Sequence, residues 1–332
     1  EVQEGEAVAL LGKNGAGECF RSSNWADWPI VANTQQDGTL DWTFPDGVAN
    51  KLDPRMVHRG ISAAIDHHER LDNVIANDVV TPFGQTVRLN PAHTRRALTL
   101  QSSDATVGIS DENTLRSMVN PQSPYTYTIL AALRRRSDKH VIDAILGSAT
   151  TAAVTTGSGI ITYGSQALPS GRKIGGATAM DLARIINANE LLSKAGAPSG
   201  AGQRIMLYSP GQLRDIMAIT QASSSDFTKN QIHDSGTING INWEGFSWLE
   251  IPDVVQADAS TVLQRMLPLA STTRSCIAFH RGSVGTSYGR DITTTPSIRH
   301  DLNDSIQVRS VMMMAAVRVW EGGVVQVDAL EN

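Results

Sequence analysis

The chain has 332 residues, 41% hydrophobic and 18% charged, with a formal net charge of −5. That is length enough for two cores and an ordinary balance for a folded protein, and its net acidity argues against a chain whose main work is gripping nucleic acid. Cys19 and Cys276 lie too far apart in sequence to imply a disulfide framework and point to a reducing compartment; no apolar run of about eighteen residues marks a membrane span, and no secretory leader is read at Glu1, where the lack of a Met leaves open whether a segment precedes it.

Residues 1–53 are the least regular part. Trp25, Trp28 and Trp42 carry large apolar areas that need a partner surface, either this chain's own core or a neighbouring subunit. The run GEAVALLGKNGAGEC at Gly5 to Cys19 has, from Gly12 to Gly17, the glycine spacing of a phosphate-cradling loop, and resembles the nucleotide site of transporter ATPases. Glu18 and Cys19 stand where such a loop needs a lysine for the phosphates and a hydroxyl for Mg²⁺, so it reads as a decoy. From Pro54 to Ile75, the spacing of Met56, Val57, Ile61, Ala64, Ile65, Leu71, Val74 and Ile75 predicts an amphipathic helix. On it, His67, His68, Glu69 and Asp72 offer metal-ligand types, but at a spacing common on surface helices, and the solvated-face reading is preferred. Residues 77–96 are broken by Pro82, Gly84 and Pro91 into a hairpin-like excursion. A two-stranded ribbon alone is marginal in water, so one that persists must lie on something, which argues for assembly.

Thr94 to Gly147 opens with Arg95 and Arg96, passes through a short strand and a polar stretch, and ends in a long helix. Ser123 suits the N-cap and Pro124 the first helical position, and Gly147 is the stop, predicting a helix over 124–146. Leu130, Leu133, Val141, Ala144 and Ile145 recur on one face with Ser137 keeping the register, while Arg134 with Asp138 and Lys139 with Asp143 sit one turn apart on the wetter side. The rod is roughly 35 Å long. With net acidity and no aromatic interleaving, Arg134, Arg135 and Arg136 read as salt-bridging rather than nucleic-acid residues.

Thr150 to Gly176 reads as loops and short strands; Thr156-Gly157-Ser158-Gly159 is a flexible loop and does not match the hydrolase Gly-x-Ser-x-Gly elbow. Thr178 is expected to cap a second helix, with Asp181 near its start, Leu182, Ile185, Ile186, Asn189 and Leu192 inward, and Gly196 and Pro198 ending it. Arg204 to Tyr208 reads as a strand, Ser209-Pro210 as a helix start with Leu213, Ile216 and Met217 inward, and the following polar loop leads into further strands. The strongest strand signal is Ile306 to Val319, apolar on both faces and therefore covered on both. Glu321-Gly322-Gly323 is expected to turn Val324 to Val327 back against it.

The order of Arg95-Arg96 before a strand, Asp111 through Leu115, Pro121 with Ser123 and Tyr125, then a helix carrying Arg136, Asp143 and Gly147, resembles the major capsid proteins of tailed bacteriophages. The closing stretch from Gly285 to Asp328, a "D-I-T-T" strand followed by a long strand, is similar to the same family, and the resemblance runs from about Arg55 to Asp328. It implies an α+β chain of the capsid fold named after phage HK97. The implied division is an N-terminal extension and arm helix at 1–76 and an extended loop at 77–105. A peripheral (P) domain at 106–177 and 295–332 carries the spine helix, and an axial (A) domain is inserted at 178–294. Trp25, Trp28, Trp42, Phe83, Arg88, Arg95, Arg96, Arg134, Arg135 and Arg136 become subunit-interface candidates, with no catalytic, cofactor or metal residue. The implied partners are further copies, as pentamers and hexamers of an icosahedral virion capsid built in the bacterial cytoplasm. Scaffold, portal and decoration proteins, and double-stranded DNA held without sequence preference, complete the set. Some family members cross-link subunits through an extended-loop lysine; none lies between Lys51 and Lys139, so a shell without that bond is expected. The alternatives are an encapsulin-type nanocompartment and, in a different class, a nucleotide-binding enzyme using Gly12–Gly17.

Overall fold

The computed structural model describes residues 8–10, 19–21, 47–71, 75–76, 78, 93–109, 122–154, 161–176, 178–219, 237–253, 255–257, 263–303 and 305–331. The chain divides into Glu1–Trp42 and Thr43–Asn332. In the first unit the described residues form one small antiparallel pair, β1 (Val8–Leu10) and β2 (Cys19–Arg21). The glycine loop between them, Trp25, Trp28 and Trp42 lie outside the described residues.

In the second unit the expected helix over 54–75 is replaced by a 3-10 turn, Pro54–Met56, and two strands, β3 (Val57–Arg59) and β4 (Ile65–Leu71). Asp53 caps the turn by accepting the Arg55 N–H at 3.0 Å, and Gly60, at φ +70°, turns the chain out of any helical path. Tertiary pairing then outweighs the helical spacing. β4 runs antiparallel to β5 (His93–Thr99), from Ile65 opposite Thr99 to Leu71 opposite His93. These strands are the base of the expected excursion, whose outer part, including Phe83 and Arg88, lies outside the described residues.

After β6 (Gln101–Ile109) comes the long helix α1 (Gln122–Leu146), two residues longer at its start than expected. The Gly147 N–H closes it on the Asp143 carbonyl at 2.7 Å. Its inward face is Ile129, Leu133, Val141, Ile142 and Ile145, each worth roughly 1.5–3 kcal/mol of burial; Leu130 and Ala144 are only half-buried. Ser137 keeps the register as expected, but Asp138 and Lys139 are buried rather than on the wetter side.

Strands β7 (Ala149–Val154) and β8 (Ile161–Gln166) extend the β4–β5 sheet, and β9 (Lys173–Ile174) crosses to another. Helix α2 (Leu182–Lys194) is capped by Asp181, not Thr178; the Asp181 carboxylate accepts the Arg184 N–H at 2.9 Å. Ile186 points outward, and Ile185, Ala188 and Leu192 make the buried stripe. Then follow β10 (Arg204–Tyr208), α3 (Pro210–Met217), β11 (Asn242–Trp243), β12 (Phe246–Glu250), β13 (Val255–Ala257), β14 (Leu263–Arg265), β15 (Leu269–Ala270) and β16 (Thr273–His280). The chain closes with β17 (Val284–Arg299), β18 (Ser305–Arg318) and β19 (Val324–Leu330).

The main sheet has the order β11-β12-β10-β16-β19-β9, with β15 on β16, and its period-two alternation sorts two cores. Ile205, Leu207, Leu249, Ile277, Phe279 and Val324 face one way and pack with Leu133, Val141, Ile142 and Ile145 of α1. Met206, Tyr208, Phe246, Trp248, Cys276, Ala278 and Val327 face the other and pack with Ile185, Ala188 and Leu192 of α2. A second sheet, β3-β17-β18-β6, lies along α1, where Met312 and Met314 join the first core while Ala315 and Val317 pack with Leu98 and Ala149. β18 is therefore covered on both faces, as its sequence predicts.

The expected closing hairpin is not formed. After the turn Glu321–Gly323, β19 leaves β18 and pairs antiparallel with β16, from Phe279 opposite Val324 to Thr273 opposite Leu330. β16 offers a full row of backbone partners and two apolar faces, whereas β18 is paired along one edge by β17 and, from Ile306 to Met314, along the other by β6.

Candidate functional site: where the spine, the ribbon and the closing strand meet

The C-terminal end of α1 leaves its last carbonyls without helical partners. Arg318, at the end of β18 and wholly buried, supplies them. Its Nη1 donates to the carbonyls of Ile145 at 2.7 Å and Gly147 at 2.6 Å, and its Nη2 to that of Gln166 at 2.8 Å. One guanidinium thus ties the helix end, the closing strand and β8. Burial lowers its pKa and the nearby Glu321 carboxylate opposes that. A cation at a helix C-terminus is also favoured by the helix dipole.

Arg96, reached from β5, lies beside it and is equally buried. It donates to the Gln166 side chain at 3.0 Å and pairs with Glu321. Expected at a subunit interface, Arg96 is 1% exposed in the single chain and joins the ribbon base to the spine from within. Arg95, on the opposite face of β5, pairs across the ribbon with Glu69, its direct cross-strand neighbour. Both partners are substantially exposed, so the pair sets register more than it adds stability.

The other end of the joint is Asp138. Its buried carboxylate accepts the Ala49 N–H at 3.2 Å and also that of Val48, at the start of the 3-10 turn Val48–Lys51. Burial pushes its pKa up to about 7, and the two backbone N–H groups pull against that rise. Val48 and Leu52 are seated in the same core as Leu133 and Val141. A Cβ on Gly47 would stand 2.7 Å from Asp138 Oδ2. Gly47→Ala is accordingly expected to lower stability by about 1–3 kcal/mol in urea denaturation, because neither the carboxylate nor the turn can retreat.

Of Arg134 to Arg136, all half-buried, Arg136 reaches an open groove of about 680 Å³ shared with His140, Asp143, Ala97, Ala149 and Ala316. His140 is held neutral, its pKa lowered to about 4 by burial and by Arg136 and Lys139. Lys139 pairs with Asp143, as predicted. His67, His68 and Glu69 form no joint metal site on a helix: they lie on a strand, where neighbours face opposite ways, and Asp72 lies outside the described residues.

Arg318 and the Asp138 contact escaped the sequence reading. The available signal was an arginine inside the apolar run MMMAAVRVW, since a charge in a strand covered on both sides must have a dedicated partner.

A family model described as phage capsid protein matches residues 48–331. The fold is similar to that in the capsid structure of the cyanophage P-SCSP1u, at a TM-score of 0.61 and 14% identity over 83% of this chain and 86% of that one. It is also similar to the capsid of Ralstonia phage GP4, at 0.56 and 12% over 83% and 87%. A Mycobacterium phage Che8 chain matches at 0.55 and 16% over 80% and 85%. Among curated proteins nothing matches the chain.

Proposed function

We infer that this chain, which belongs to the phage capsid protein family and serves as a major capsid protein of a tailed phage, assembles as pentamers and hexamers into an icosahedral shell around double-stranded DNA. The observation that carries the reading is the joint just described. The ribbon base, the spine helix and the closing strand are bound at one buried point, so a load on the ribbon reaches the rod and both cores. The ribbon's outward face still carries exposed Ile65, Leu71 and Ile75, apolar area that a neighbouring copy would cover. Trp25, Trp28, Trp42, Phe83, Arg88, Arg95 and Arg134 to Arg136 are assigned to contacts between copies. The division into arm, extended loop, P-domain and inserted A-domain is assigned on the family pattern, with β19 bridging to the A-domain sheet. The role is structural rather than catalytic, with scaffold, portal and decoration proteins as further partners.

Imaging of particles from the producing host tests this. Large DNA-filled shells with five- and six-fold clusters are the expected result. Small protein-filled shells would move the chain to the encapsulin reading, and a soluble monomer that binds ATP would defeat both. Boiled particles should run as monomers on a denaturing gel, since no lysine lies between Lys51 and Lys139; a ladder of covalent multimers would overturn that.

A further inference from the structure

One cluster of ligand-type side chains is not used by the joint. β3, β4 and β17 bring His58, Asp66 and His68 together, with one ligand atom of each within 4.8 Å of the others. His58 Nδ1 lies 2.7 Å from Asp66 Oδ2, and the Ser287 hydroxyl lies 2.5 Å from that same oxygen and 3.1 Å from His68 Nε2. His68 is 2% exposed. Its ring bonds the Thr286 backbone carbonyl, with the Nδ1 side against Gly285, so Nε2 is left as the lone-pair nitrogen facing the cluster.

Counting protons exposes a deficit. Ser287 has one hydrogen and two acceptors in reach, the Asp66 carboxylate at the shorter distance and His68 Nε2 at the longer. When the carboxylate takes it, Nε2 holds a buried lone pair with no donor. Neutral imidazole nitrogens plus a carboxylate are the donor set of a borderline divalent transition ion. The backbone bond at the far side of His68 is the support such a ligand requires, since it fixes the tautomer and aims the free nitrogen.

We propose that His58, Asp66 and His68 bind a Zn²⁺-class divalent cation, which pins the ribbon strand β4 to β3 and β17. The rings of His58 and His68 are stacked, with centroids 4.0 Å apart and planes 12° from parallel, so no single ion lies in both ring planes as they stand. Binding turns the half-exposed His58 ring out of the stack, exchanging its bond to Asp66 for the metal. The buried His68 stays in place.

The test uses the full chain, stripped with EDTA and titrated with Zn²⁺ by calorimetry and with Co²⁺ by visible absorption. The expected result is one equivalent bound, a Co²⁺ spectrum of low-symmetry nitrogen–oxygen coordination, and a melting temperature raised by roughly 5 °C at a hundredfold excess over Kd. His58→Ala, at a half-exposed position, and Asp66→Asn should each weaken binding at least tenfold and abolish the Co²⁺ spectrum, with circular dichroism of each variant matching the parent. Absence of binding at about 100 µM free metal overturns the proposal. So does binding that survives both substitutions, which would place the metal on others of the chain's eight histidines.

Discussion

Replacing Arg318 by Met should cost roughly 3–5 kcal/mol of stability and abolish shell assembly. The substitution keeps the length and apolar stem but removes the donors to the carbonyls of Ile145, Gly147 and Gln166. The Ile145 carbonyl would then be buried without a partner, at a cost of about 1–3 kcal/mol before relaxation, and the carbonyls of the exposed Gly147 and Gln166 would lose theirs at the partly wetted edge of the joint. Glu321 would be left to Arg96 alone. Arg318→Lys is expected to fall between the two, because a single ammonium cannot reach carbonyls on a helix end and on a neighbouring strand in a fixed fork. Denaturant titration of the unassembled subunit measures the first effect and electron microscopy the second. A Met variant within 1 kcal/mol of the parent would show that the joint does not hold the helix end.

Asp138 should make the subunit less stable as pH rises. In the unfolded chain its carboxyl titrates near 3.8 and in the folded chain near 7. Below 3.8 it is protonated in both states and imposes no cost. Between 3.8 and 7 the native state holds a proton that the unfolded state has released, so stability falls as pH rises through that window. Above it the full cost of the buried charge is present, on the order of 4 kcal/mol. His68 and His140, both lowered to about 4 from 6.5, act in the opposite sense: their contribution is complete above 6.5 and is lost as pH falls toward 4. The total profile is therefore flattened, and the informative quantity is the difference between the parent and Asp138→Asn. The asparagine keeps an acceptor for the Ala49 N–H but carries no charge. Parent stability relative to the variant should decline by several kcal/mol between pH 4 and 7.5, read from denaturant midpoints. Parallel curves would place the Asp138 titration outside that range.

Both predictions concern charged groups that the sequence placed elsewhere. Asp138 was expected to sit near water opposite Arg134, and one-dimensional spacing has no means of showing that residues 47–51 lie across the helix at that turn. Arg318 was passed over inside an alternating apolar strand. Its partners are 152 to 173 residues away in sequence, so no local pattern connects them. His58 and Asp66 are similar: read as a helix, residues 54–75 group His67, His68 and Glu69 with Asp72, whereas the strand period brings Asp66 and His68 onto one side and β3 adds His58.

What the sequence determined by itself is the set of elements with strong local signals. These are the spine helix with its glycine stop, the doubly covered strand β18, the helix–strand succession from Leu182 to Met217, and the order of parts by which the capsid family is recognised. Periodicity, capping and turn chemistry act over a few residues, so they are legible without the fold. Tertiary structure alone decided the rest. It turned a helical stripe into strands because β5 offered a continuous row of hydrogen-bond partners, and sent the last strand to β16, which offered a longer row of backbone partners between two apolar cores. It also converted three charges into buried fasteners, because a charge inside a packed joint is stable only where distant backbone and carboxylate groups converge on it.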